Sequence, residues 1–123
     1  MASKYGNRKI IVNGIVFDSK HEANRYCELL VLQRAGEIKN LELQKEYVLI
    51  PSQYESYARY GKKGQRLKDG QRCIEQAVKY KADFVYTQNG KIIVEDTKGM
   101  RTKDYIIKRK LMLWRHGVKI REV

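Results

Sequence analysis

Asp83 and the triplet Asp96-Thr97-Lys98 are the residues whose types and spacing could do chemistry. On an extended strand, residues i and i+2 share a face about 6.6 Å apart, so Asp96 and Lys98 are expected to point one way, and Glu95 and Thr97 the other. If Asp83 faces the same side from a neighbouring strand, two carboxylates converge beside a fixed positive charge. Such a pair can hold Mg²⁺ (or Mn²⁺) with several waters, leaving places for a phosphate oxygen and a nucleophilic water. Lys98 would then position the phosphate and stabilise the transition state, with a role as base left open. Acid-x-Lys also occurs as Asp18-Ser19-Lys20 and Glu37-Ile38-Lys39, so context supplies the signal. Only the third copy ends an apolar run, follows another run carrying an acid, and precedes a basic segment.

The distribution of charge points the same way. The 123 residues carry 26 Lys and Arg against 14 Asp and Glu, a net +12. Residues 83–97 nonetheless have a net charge of −2, between +5 over residues 54–82 and +8 over residues 98–121. A simple nucleic-acid binder gains nothing from such an acidic island, because each carboxylate repels the phosphates that Lys and Arg attract. A divalent cation would offset it. An apolar content of 42% argues against a disordered polycation, and the length suits one domain over 1–123. No apolar run of 18 residues and no apolar signal-peptide region near Met1 are present, which disfavours membrane insertion and secretion. Cys27 and Cys73 form no CxxC, and only His21 and His116 accompany them, which excludes a zinc finger or ribbon and suggests reduced thiols in the cytoplasm.

The elements that must position these residues follow from periodicity. Asn13-Gly14 between two apolar runs predicts an N-terminal β-hairpin over 8–17. Ser19 and Glu22 have the spacing of a capping box at the start of a helix that runs to Gly36. Tyr47 to Ile50 reads as a strand ended by Pro51. Residues 53–72 show no clean period and, with Gly61 to Gly70, read as a mobile basic loop inserted between strands. Val78, Tyr80, Ala82, Phe84 and Tyr86 alternate with Lys79, Lys81 and Asp83 up to a turn at Asn89-Gly90, and Lys91 to Lys98 returns as the partner strand. Thr102 caps a helix to His116, and Val118 to Val123 alternates as a last strand. This order gives an α/β fold, a mixed sheet flanked by helices.

The motifs Ser19-x-x-Glu22, Leu41-Glu42-Leu43-Gln44, Lys81-Ala82-Asp83-Phe84 and Val94-Glu95-Asp96-Thr97-Lys98-Gly99, followed by a basic helix, resemble the PD-(D/E)XK nuclease superfamily. The likeness is to small phage-encoded members, with a layout similar to transposase endonuclease subunits and archaeal-type Holliday-junction resolvases. It implies a restriction-endonuclease-like αβββαβ core and divalent-metal-dependent hydrolysis of phosphodiester bonds. It also implies a site of Glu22 on a helix, Asp83 and Asp96 on strands, and Lys98. Gln44 matches a strand glutamine of some members. Glu95 is the alternative metal ligand to Asp96, though side-chain alternation favours Asp96, and Glu22 can serve metal, cap or both.

The expectation is therefore a DNA endonuclease, structure-selective for branched or junction DNA ahead of a sequence-specific cutter of duplex, in a phage or prophage setting within a bacterial host, as a homodimer where paired cuts are needed. The reading from another class is a non-catalytic basic nucleic-acid-binding protein. In either case the phosphate contacts are expected from Lys62, Lys63, Arg66 and Lys68 in the loop, Lys79 and Lys81 on the strand, and Arg101, Lys103, Arg109 and Lys110 near the last helix. On that helix Lys108 stands four residues beyond Asp104 and can pair with it, whereas Arg101, Lys103, Arg109 and Lys110 have no such local partner. Tyr54, Tyr57 and Tyr60 interleave with Arg59 and could stack on bases or simply pack.

Overall fold

A computed structural model describes residues 9–97 and 100–123. The chain opens with β1 (Ile10–Val12) and β2 (Ile15–Phe17), an antiparallel hairpin whose turn residues Asn13 and Gly14 both have positive φ, as that turn requires. Helix α1 (Lys20–Arg34) follows, capped by Ser19, whose Oγ accepts the Glu22 backbone N–H at 3.1 Å. Beyond its end, Gly36 turns the chain with φ of 78°. Then come β3 (Lys39–Ile50), β4 (Gln53–Tyr60), β5 (Arg66–Glu75), β6 (Val78–Gln88) and β7 (Lys91–Asp96). Helix α2 (Lys103–His116) is capped by Thr102 and closed by left-handed Gly117, and β8 (Arg121–Glu122) ends the fold.

The main sheet has the order β3-β6-β7-β8. The first two pairings are antiparallel and β7–β8 is parallel, so the sheet is mixed, as expected. Among the described residues no helix is long and apolar enough to cross a membrane.

Two apolar clusters clasp this sheet. Phe17, Ala23, Tyr26, Leu29 and Ile38 pack with Phe84 and Tyr86 on the α1 side. Tyr105 and Met112 of α2 pack with Leu49, Tyr80, Ala82, Val85, Val94 and Ile120. Ala82 and Phe84, two residues apart, would share one face of a regular strand, yet they belong to opposite clusters. The swap falls at Asp83. Opposite it, between the pairs Leu43↔Phe84 and Lys45↔Ala82, stands Gln44 with a φ of 56°. Both strands change faces at that point, so the alternation in the sequence runs on unbroken while the packing inverts.

Three expectations need correction. Residues 53–72 are no loop: β4 and β5 pair into an antiparallel ribbon with only a short turn between them. Every residue of β4 is exposed, so neither face had to be apolar and no period of two was written into the sequence. The strand expected at Tyr47 begins eight residues earlier, at Lys39, because half-buried Leu41 and Leu43 pack into the α1-side cluster, opposite the face of Leu49, and anchor a charged stretch to the sheet. The terminal strand shrinks to Arg121–Glu122, with Ile120 buried in the α2 cluster.

Candidate functional site

The site lies where β6, β7 and the first turn of α1 meet. In the register that pairs Phe84 with Glu95, Asp83 stands across from Asp96. Asp83 is held from the other strand: its Oδ2 accepts the backbone N–H of Thr97 at 2.8 Å and the Thr97 hydroxyl at 2.7 Å. Asp96 is buried, and its Oδ2 accepts the Tyr80 hydroxyl at 2.5 Å. Burial, and then this bond, push the Tyr80 phenol far above its ordinary pKa, so it stays a donor.

Glu22 reaches the pair from α1. It is buried, and instead of closing the capping box its Oε1 accepts Gln44 Nε2 at 3.2 Å. The same amide nitrogen lies 3.4 Å from Asp83 Oδ1, so Gln44 bridges the helix acid and the strand acid. Burial first, and then the charges of Asp83 and Asp18, raise the Glu22 carboxyl to about 7. Three carboxylates thus repel one another in a chain of net charge +12.

Glu95 takes no part in this cluster. It is fully buried and faces α1, where Arg25 grips it with Nε at 2.8 Å and Nη2 at 2.6 Å, and the Tyr86 hydroxyl donates to it as well. The hydrogen bonds to Glu95 raise the Arg25 pKa, so the guanidinium stays charged. Arg121 Nη1 donates to the same Tyr86 hydroxyl at 3.2 Å, which ties β8 into the network. Side-chain alternation therefore separates Glu95 from Asp96 as the sequence suggested.

Hydrogen bonds bring together Glu22, Gln44 and Asp83, and Asp96 stands next to them across from Asp83 in the strand register. Lys98 lies outside the described residues. Thr97, expected to share the side of Glu95, instead bonds Asp83 through its hydroxyl; β7 ends at Asp96, and alternation no longer governs the next residue. Tyr80 and Thr97, which hold the two aspartates, do not stand out in the sequence. The only available signal was a tyrosine and a threonine flanking acids on adjacent strands.

Among the described residues, the acids of the cluster offer carboxylate oxygens, and such ligands suit Mg²⁺ or Mn²⁺ better than softer metals. Among the described residues, no three His, Cys, Asp or Glu side chains converge closely enough to hold a metal ion directly. The residues fit a cation bound chiefly by the Asp83 and Asp96 pair, with Glu22 one amide away.

The expected phosphate contacts divide into occupied and free groups. Arg101 donates to Glu122 at 2.7 Å, and Arg109 lies 3.7 Å from the same carboxylate. Helical spacing leaves these two arginines without partners, but Glu122 arrives from β8. Hydrogen bonds from Tyr105 and Arg101 lower the Glu122 pKa. Lys79 sits 3.8 Å from Glu46, and Arg66 is paired with Asp69. Lys62, Lys63, Lys68, Lys81, Lys103 and Lys110 have no acidic partner among the described residues, and the expected Lys108–Asp104 pair does not form.

Residues 2–122 match the model of a family described as a protein of unknown function (DUF1064). No curated protein and no solved structure matches the chain.

Proposed function

The chain belongs to the DUF1064 family, and from its site geometry we propose that it is a divalent-metal-dependent DNA endonuclease of the PD-(D/E)XK type. The observation that carries this reading is the cluster of Glu22, Asp83 and Asp96, bridged by Gln44 and held by Thr97 and Tyr80. Around the main sheet the elements run α1, β3, β6, β7, α2, β8, with the three acids on α1, β6 and β7. That order and placement agree with the nuclease core.

Asp83 and Asp96 would hold the cation, with Glu22 completing its surroundings. When bound, the cation supplies positive charge against the developing charge on phosphate. The protein's own residues do the rest. Thr97 and Tyr80 fix the aspartates, so their geometry costs no reorganisation during reaction. Gln44 keeps Glu22 and Asp83 at a set separation. Lys98, two residues past Asp96, would bring an ammonium to the phosphate.

Incubation with linear, flapped and four-way DNAs, with Mg²⁺ and with chelator, tests the proposal. Metal-dependent cutting that is abolished in the Asp96→Asn variant is the expected result. The basic binding protein is the second reading, favoured by the free lysines and by the absence of a ready-made three-acid metal centre among the described residues. It predicts salt-sensitive DNA binding, no cutting with any metal, and no loss of function on changing Asp96.

A further inference from the structure

The β4–β5 ribbon is the largest element without a structural task. Among the described residues it packs extensively on no other helix or strand, and both its faces are exposed. An isolated two-stranded ribbon is marginal in water, yet this one carries its own bracing. Arg72 pairs with Glu55 at 3.1 Å and lies 4.6 Å over the Tyr57 ring. That ring covers Gly70 so closely that a Cβ there would sit 2.3 Å from Tyr57 Cζ. Arg66 is similarly spent on Asp69 and on the Tyr60 ring. The tyrosines with near partners are thus occupied in stiffening the ribbon. Four cations remain in its outer half, namely Arg59, Lys62, Lys63 and Lys68, and none has an acidic partner among the described residues. From residue 59 to residue 68 there is no acid at all.

We propose that this ribbon is an arm that enters the major groove of duplex DNA. The step deepens the nuclease reading in that it names the class of substrate, a B-form duplex flanking the site. The strands have 8 and 10 residues, about 26–33 Å at 3.3 Å per residue. A major groove about 12 Å wide admits a two-stranded ribbon, and its walls are phosphates. A register shift between Tyr57 and Arg59 adds to the right-handed twist that lets a ribbon follow a groove. The major groove of double-stranded RNA is too deep and narrow to accept the arm. Placement also fits. The ribbon springs from the paired ends Ile50 and Val78, and Val78 is five residues from Asp83 along β6, about 17 Å. The arm therefore holds the duplex to one side of the acids.

Binding of the wild-type chain in chelator, titrated against salt with duplex DNA, duplex RNA and single-stranded DNA of equal length, tests the arm separately from hydrolysis. The comparison is with R59S/K62S/K63S/K68S and with the tip pair K62Q/K63Q, which lies in the turn outside both strands and keeps the fold intact. Duplex DNA should bind tightest. The fourfold variant should bind it about tenfold or more weakly, with the salt slope reduced by about 0.9 for each phosphate no longer neutralised, and the tip pair should show part of that weakening. Duplex RNA should bind weakly and be indifferent to both variants. Equal dependence for RNA, or unchanged slopes with DNA, overturns the arm, as does a variant that only converts a dimer to a monomer in sedimentation. A chain that binds through the ribbon but cuts nothing in Mg²⁺ or Mn²⁺ refutes the nuclease and keeps the arm. A chain that cuts while the variants bind normally does the reverse.

Discussion

Glu22 is a site acid whose protonation the fold moves towards neutral pH. With its carboxyl raised from 4.5 to about 7, the folded chain keeps a proton between those values that the unfolded chain has released. Stability therefore falls as pH rises through that window. Glu22→Gln removes the effect, and in chelator its stability by thermal melting should overtake that of the wild type above pH 7 by about 3 kcal/mol, with the gap narrowing towards pH 4.5. A difference independent of pH would refute the coupling among the acids. For Asp83→Asn and Asp96→Asn the nuclease proposal expects loss of cutting with DNA binding kept or tightened, since on that reading each removes a metal ligand and a charge that repels phosphate. Gel-shift and cleavage assays on the same preparations separate the two effects. Glu22, whose spacing marks only a capping box, entered through the family resemblance, whereas the two aspartates were legible in the sequence because acids on neighbouring strands leave a spacing. Tyr80 and Thr97 were not, because a hydroxyl that orients a carboxylate leaves no pattern distinguishable from ordinary strand composition.

Helix α1 does two jobs one turn apart, presenting Glu22 to the site and Arg25 to Glu95. Replacing Arg25 with Met leaves a fully buried carboxylate with only the Tyr86 hydroxyl, and should cost about 3–5 kcal/mol by chemical denaturation. Ser19→Ala removes the acceptor for the Glu22 backbone N–H and should cost about 1 kcal/mol, with cutting reduced further than stability alone explains if the helix start sets the place of Glu22. Elements with one buried face were readable: the Asn13-Gly14 hairpin, α1 between Ser19 and Gly36, and α2 between Thr102 and Gly117 follow turn and cap chemistry. The β4–β5 ribbon was not, because its pairing rests on cross-strand contacts such as Glu55 with Arg72 and Tyr57 over Gly70, which join residues 13 to 17 positions apart and impose no local period.

Across the whole molecule, charge is organised more selectively than the count of +12 implies. Glu122 gathers Arg101 and Arg109 beside β8, and Lys103 and Lys110 are two of the α2 cations left without an acidic partner among the described residues. Changing both to Gln should raise the DNA concentration needed for half-maximal cutting and leave the saturated rate nearly unchanged, as expected when only uniform binding is weakened; steady-state kinetics on one substrate decides it. The inversion of faces at Gln44 and Asp83 carries a further consequence, for the lengths this chain can tolerate. A residue inserted or deleted there would send the Leu49, Tyr80 and Ala82 side to the wrong helix, because a shift of one reverses every side chain beyond it. Two residues added at Gly61–Gly64 would merely lengthen an arm whose pairing continues in register. Descendants of this chain are thus free to grow at the ribbon tip and bound to an exact count between the sheet's two cores.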